Sequence, residues 1–170
     1  TRPTADRTRE SLFNILAGGK FGEVIDDAVV IDAFAGTGAL GLEALSRGAR
    51  FASFIESDQQ ALTSLRQNIA RLKRDDDSRV LAADALRLAR WQGDPATLVM
   101  ADAPYGSGSG LGAICQLMRI GALAASALII IETGSNETLD ETLLSAAGLR
   151  PVAARRYGRA LLHFLEFHHA

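Results

Sequence analysis

The sequence predicts an α/β fold: a mostly parallel seven-stranded sheet with helices on both faces, finished by an antiparallel hairpin. Three observations carry that expectation. Short apolar, often β-branched runs that end in an acid recur along the chain, as at Val29-Val30-Ile31-Asp32, Phe51 to Glu56 and Leu98 to Asp102. Runs of this length without polar alternation fit strands buried on both faces. Between them lie segments with helical spacing, clearest at Leu62, Leu65, Ile69 and Leu72, whose three- and four-residue steps form one apolar stripe. After Gly148 the pattern changes to two extended runs, Leu149 to Tyr157 and Ala160 to Phe167, joined at Gly158. That is the pattern of a hairpin at a sheet edge.

Taken in order, Thr4 is placed to cap a first helix of about three turns, with Asp6 in its first turn and Gly18-Gly19 at its end. Thr8, Leu12, Ile15 and Leu16 share one face of it. Ala28 to Asp32 reads as the first strand, and Leu40, Ala44 and Leu45 pattern a helix that Gly48 closes. Phe51 to Glu56 follows as the second strand, with Ser57 or Asp58 capping the next helix. Val80 to Ala83, Leu98 to Asp102 and Ala127 to Glu132 read as further strands, with a helix around Leu111 to Leu117 between the last two. On this reading strand and helix alternate throughout. Asp75-Asp76-Asp77 after Lys73-Arg74 reads as a solvated turn. A parallel sheet that ends in an antiparallel pair resembles the Rossmann-like layout of the class I methyltransferases.

With 170 residues, 48% of them hydrophobic, the chain suits one well-buried domain over residues 1–170. It opens on Thr1 at a helix-start signal, and further residues are expected upstream of it. A net charge of −2 excludes a general basic field, so any nucleic-acid contact must be local. Cys115 is the single cysteine; it excludes an intrachain disulfide, fits a reducing compartment and reads as a small buried apolar residue. No run approaches the roughly 18 apolar residues of a membrane span, and no signal peptide opens the chain. A cytoplasmic location with no membrane partner is expected. His163, His168 and His169 lack metal-ligand spacing, and no metal is expected.

Gly36-Thr37-Gly38-Ala39-Leu40-Gly41 satisfies G-x-G-x-x-G, a pattern shared by dinucleotide sites. Asp32 decides between cofactors. It precedes the first glycine by four residues, whereas a dinucleotide strand runs almost directly into its glycine turn to seat a pyrophosphate. S-adenosylmethionine has no phosphate and needs acceptors for an amino group, a ribose diol and an adenine. Asp32, Phe34, Gly36 and Gly38 form the candidate cofactor loop, and Glu56 ends the second strand where an acid can hold a ribose diol. Asp84 can accept from the adenine amino group, with Ala85 offering a backbone N–H; the competing reading of Asp84 is a helix cap.

Asp102-Ala103-Pro104-Tyr105 follows a buried strand and opens onto the same crevice. An exocyclic amine on a nucleobase is a poor nucleophile because its lone pair is delocalised into the ring. Two acceptors holding its N–H bonds favour the more reactive pyramidal form, and the Asp102 carboxylate with the carbonyl of Ala103 or Pro104 is placed to supply them. Tyr105 offers a flat face for an extruded base.

These stretches resemble the bacterial enzymes that methylate the exocyclic N2 of a guanine in small-subunit ribosomal RNA. The resemblance rests on Arg2-Pro3-Thr4, Asp6-Arg7, Arg9-Glu10-Ser11-Leu12-Phe13-Asn14, Asp32 to Gly38, Gly41 to Ala49 and Asp102 to Gly106. It implies an S-adenosylmethionine-dependent enzyme acting on ribosomal RNA or the assembling small ribosomal subunit. The chain departs from the family pattern at Ala103, where the family has proline, and the expected effect is a less preorganised loop.

Arg7 and Arg9 near one end, and Arg155, Arg156 and Arg159 near the other, are candidates to bracket an RNA backbone; the competing reading is ordinary solvated charge. Three alternatives stand beside the leading one. A DNA adenine or cytosine amino-methyltransferase shares both motifs, but the chain has no room for a domain that reads base edges. A catalytically weakened RNA-binding assembly factor of the same fold would follow if turnover were lost at Ala103. A nicotinamide-dependent oxidoreductase is more distant.

Overall fold

The computed structural model describes residues 3–167, with side chains from Ala5 onward. The elements are α1 (Pro3–Ala17), β1 (Val29–Ala33), α2 (Ala39–Ser46), β2 (Phe51–Glu56), α3 (Gln59–Arg71), β3 (Ser78–Ala82), β4 (Ala96–Ala101), α4 (Ser109–Arg119), β5 (Leu123–Gly134), α5 (Glu141–Ala147), β6 (Leu149–Tyr157) and β7 (Ala160–Phe167). The strands form one seven-stranded sheet in the order β3-β2-β1-β4-β5-β7-β6. The first five run parallel, and β7 lies antiparallel between β5 and β6.

Strand residues alternate between two cores, which is why the sequence shows no polar alternation. Val30, Leu98, Ile130 and Phe164 pack on the face that carries α1, α2 and α3. Ile31, Val99, Ile131 and Leu165 pack against α4 and α5. Asp32, Asp102 and Glu132 continue the first of these rows at the C-terminal ends of β1, β4 and β5. The register Met100↔Ile130, Ala101↔Ile131 brings Asp102 beside Glu132 one residue further on.

Several expectations need correction. α1 is 15 residues long, about four turns, and Thr4 lies inside it instead of capping it. Proline suits the first helical turn, where its missing N–H has no intrahelical partner to lose. Asp58, not Ser57, caps α3 by accepting from Ala61 N at 2.9 Å. Leu72 falls just past that helix and is 51% exposed, so the apolar stripe ends at Ile69. Strand and helix do not alternate between β3 and β4: residues 83–95 form turns, and Asp84 accepts from Leu86 N at 2.9 Å in a side-chain turn. The sequence reading missed α5, a short helix capped by Asp140 and closed by Gly148. The terminal hairpin does lie at the sheet edge as expected, with β7 paired to both β5 and β6 and β6 outermost. Asp75–Asp77 is a single 3-10 turn, in which Arg74 pairs with Asp77 at 3.0 Å.

Candidate active site

The strand order reverses direction between β1 and β4, and at such a switch point the chains leaving the strand ends part to open a crevice. Asp32 lies at its floor, 1% exposed. Its Oδ2 accepts from Gly41 N at 2.9 Å, while Oδ1 is buried with no partner. Burial pushes its pKa up to about 8 against the pull of the Gly41 N–H, and the charges of Asp102 and Glu56 add to the rise. Phe34 takes a left-handed conformation at φ 61°, rare for a bulky side chain, as β1 turns into the glycine loop. Gly38 is required there: its φ is 87°, and a Cβ would meet Leu65 Cδ1 at 2.5 Å.

Glu56 is committed to the same loop. Its Oε1 accepts from Gly36 N at 2.7 Å, and Oε2 accepts from Ser57 N at 3.0 Å and Asp58 N at 2.8 Å. About one of its four lone-pair sites is left for a ligand. Asn68 Nδ2 donates to Thr37 O at 3.0 Å, pinning the loop from α3. Asp84 has one oxygen on Leu86 N and the other 3.9 Å from Arg87 Nε, so part of its accepting capacity is already taken; Ala85 is buried beside it.

Asp102 opens to solvent on one side and meets Glu132 on the other. Burial, then the charge of Glu132 and a hydrogen bond with it, push its pKa up to about 7. Tyr105 donates its hydroxyl to Glu132 Oε2 at 2.5 Å. One side of its ring packs by the Gly134 backbone, where a Cβ would come within 3.4 Å, and the residue is still 49% exposed. Burial and the hydrogen bond to Glu132 push the phenol well above its ordinary range. Pro104 O accepts from Ser107 Oγ at 2.6 Å, which leaves the Ala103 carbonyl as the freer second acceptor. Glu137 closes the loop, accepting from Gly106 N at 2.8 Å and Gly134 N at 2.5 Å.

Glu132 and Glu137 were not assigned from the sequence. Glu132 carried a signal: it ends an apolar strand as Asp32 and Glu56 do. Glu137 carried none. None of Asp32, Glu56, Asp102 and Glu132 has an ion-pair partner among the described residues. A cavity of about 110 Å³ on the α1 side is lined by Thr8, Arg9, Leu12, Met100, Asp102 and Glu132. A second, of about 220 Å³ beyond the loop, is lined by Ala103, Pro104, Ser107, Glu132, Glu137 and Leu143, among others.

The candidate RNA-binding arginines do not form one cluster. Arg9 is engaged with Asp6 at 3.1 Å and Glu43 at 3.9 Å. Arg7, Arg155, Arg156 and Arg159 are exposed. The pairings Glu132↔Leu162 and Leu162↔Arg155 put Arg155 in the row of Glu132, whereas Arg156 pairs with Leu161 in the row of Thr133. Neighbouring residues of a strand face opposite ways, so the two arginines point to opposite faces. Arg2, His168 and His169 lie outside the described residues. His163 is buried, with Nε2 2.8 Å from Thr133 Oγ1. Cys115 is half-buried, and its thiol is pushed up by that burial. Among the described residues no helix is long and apolar enough to cross a membrane, and no group of His, Cys, Asp and Glu is arranged to hold a metal ion.

A family model described as "Conserved hypothetical protein 95" matches residues 1–166. The chain belongs to this family. Relatives of this chain include the Escherichia coli K12 protein named "Ribosomal RNA small subunit methyltransferase D", 44% identical over 132 residues. That match covers 78% of this chain and 64% of the relative, so the chain spans a little under two thirds of that protein's length. The Haemophilus influenzae protein of the same name is 35% identical over 141 residues, covering 81% of this chain and 70% of its own. Among solved structures, yhhF from Escherichia coli superposes with a TM-score of 0.80 at 36% identity, covering 99% of this chain and 89% of that one. The family and the sheet order agree with the class I methyltransferase layout expected from the sequence.

Proposed function

We propose that this chain transfers a methyl group from S-adenosylmethionine to the exocyclic N2 amine of a guanine in small-subunit ribosomal RNA, acting in the cytoplasm on the RNA or the assembling small subunit. The observation that carries the reading is the buried, unpartnered Asp32 Oδ1, in a crevice whose four carboxyls have no ion-pair partner among the described residues. A buried acceptor without a partner is costly, and a ligand ammonium there relieves it. S-adenosylmethionine carries such an ammonium, and its sulfonium makes the methyl carbon an electrophile.

Asp32 would hold the amino group, Phe34, Gly36 and Gly38 would line the cofactor's path, and the remaining capacity of Glu56 would take the ribose diol. Asp84 and the Ala85 N–H would take the adenine. The Asp102 carboxylate and Ala103 carbonyl would hold the two N–H groups of the acceptor amine, and the open side of the Tyr105 ring would stack the base. Pro104 shapes the loop, its own carbonyl being engaged by Ser107. Arg7, Arg155 and Arg159 are the exposed candidates for phosphate contact, with Arg9 held mainly by its carboxylates. Ala103 does not favour a non-catalytic reading, because Glu132 and Glu137 tie the loop down without the family's proline.

The test is methyl transfer from S-adenosylmethionine to ribosomal RNA and small subunits from a strain lacking the protein, followed by mass spectrometry of the nucleosides. One new N2-methylguanosine is the expected product. Asp102→Ala should lower turnover by about 10²–10³-fold, as loss of one positioned group at a reacting centre does, with cofactor affinity held within severalfold. No methylguanine product, or near wild-type turnover in Asp102→Ala, would overturn the reading.

A further inference from the structure

We propose that Glu132 is a positioning residue for methyl transfer: set beside Asp102 on the neighbouring strand and hydrogen-bonded to Tyr105, it sets the acceptor loop and shares with Asp102 the proton that the methylated amine gives up. This rests on the reading that Asp102 holds the acceptor amine. The geometry singles out Glu132 in three ways. The β4–β5 register aligns it with Asp102 across neighbouring strands. Its Oε2 receives the Tyr105 hydroxyl at 2.5 Å. It also lines both cavities that flank the acceptor loop.

The reaction needs such a group. As the amine nitrogen bonds to the methyl carbon, the sulfur–carbon bond breaks and its electron pair stays on sulfur. The nitrogen then carries the methyl group and both of its hydrogens, and is cationic until one proton leaves. That proton passes to Asp102, in contact with the amine, and is held between the two carboxyls. From there solvent takes it, since Asp102 is open on one side.

The surroundings supply little to neutralise the pair. Asp32 on β1 and Glu137 after β5 are acidic. Arg9 on α1 reaches the same cavity but is engaged by Asp6 and Glu43. His163 on β7 lies against Thr133, and burial holds it below its ordinary pKa. Burial and the neighbouring carboxylate keep a proton on Asp102 up to about pH 7, so turnover should rise with pH through about 7 as the pair empties.

The experiment is a pH–turnover profile of ribosomal RNA methylation for the wild type, Glu132→Gln and Tyr105→Phe, with folding and cofactor affinity measured alongside. Glu132→Gln removes the second carboxyl while keeping its shape. Its turnover should fall on the order of 10²-fold, and its acid limb should move to lower pH because Asp102 loses its like-charged neighbour. Tyr105→Phe keeps both carboxyls and should keep the wild-type limb. Should Glu132→Gln not fold, Glu132→Asp withdraws the carboxylate by one methylene and should move the limb the same way by less. Methylguanine formed with an unmoved limb in whichever variant folds overturns this inference alone, because a merely structural Glu132 would change the rate and not the limb. No methylguanine from the wild type overturns both this inference and the function it rests on.

Discussion

Asp32 shows how one buried residue ties stability to pH and, under the proposed function, to cofactor binding. Its carboxyl is buried with one oxygen unpartnered, and its pKa is raised to about 8. A carboxyl with a folded pKa above its unfolded value binds its proton more tightly when folded. The unliganded protein should therefore lose stability as pH rises from about 4 to about 8, and Asp102, raised to about 7, acts in the same direction. Urea unfolding across that range should show the loss, and Asp32→Asn should flatten the curve, being relatively more stable at its alkaline end. A cationic cofactor works against the same proton, so S-adenosylmethionine should bind more tightly as pH rises toward about 8 and release protons as it binds. Calorimetry in buffers of different ionisation enthalpy reads that release. An unchanged pH dependence of stability in Asp32→Asn would show that Asp32 is not the group responsible.

At the scale of elements, the acceptor loop shows what a sequence conceals. Asp102 to Tyr105 stood out in the sequence as a candidate because the residue types and their place after a buried strand suit the proposed acceptor chemistry. The replacement of the family's proline by Ala103 suggested a looser loop. What holds this loop, however, is a set of contacts across sequence separations of 27 and 31 residues, Tyr105 to Glu132 and Gly106 to Glu137. No local pattern announces these. Their geometry depends on β5 running two residues beyond its expected end at Glu132 and turning at Gly134. In the same way α5 escaped notice because it is seven residues long and buries only Leu144 of its own, too little for a periodic stripe. Ala103 is 5% exposed and precedes Pro104, which already biases it to an extended backbone. Ala103→Pro should therefore raise stability by no more than ~0.4–1 kcal/mol and leave turnover within about twofold of wild type. Urea unfolding and initial rates check this, and a large gain in turnover would show that the two glutamates do not hold the loop.

At the scale of the whole molecule, a net charge of −2 gives no long-range field to draw RNA in, so under the proposed function RNA affinity would come from arginines on the face where the base would enter. Sequence proximity suggested that Arg155 and Arg156 act together. The sheet separates them. Glu132, Leu162 and Arg155 lie in one row across β5, β7 and β6, which sets Arg155 two strand spacings, roughly 10 Å, from Glu132 on the α1 face, with Asp102 one strand further. Arg156 belongs to the row of Thr133 and Leu161, and its Nη2 lies 3.5 Å from Ser135 O. An RNA strand whose guanine stacks on Tyr105 and reaches Asp102 should pass over the first row and not the second. Arg155→Glu should therefore weaken RNA binding and lower the slope of log affinity against log salt by roughly 0.7–0.9, the value of one lost phosphate contact. Arg156→Glu should leave both nearly unchanged, and neither variant should alter cofactor binding. Fluorescence anisotropy with labelled ribosomal RNA fragments over a salt series separates the two. A loss confined to Arg156→Glu would place the RNA on the α4 and α5 face. No loss in either would return both arginines to ordinary solvated charge and leave Arg7 and Arg159 as the phosphate contacts to test.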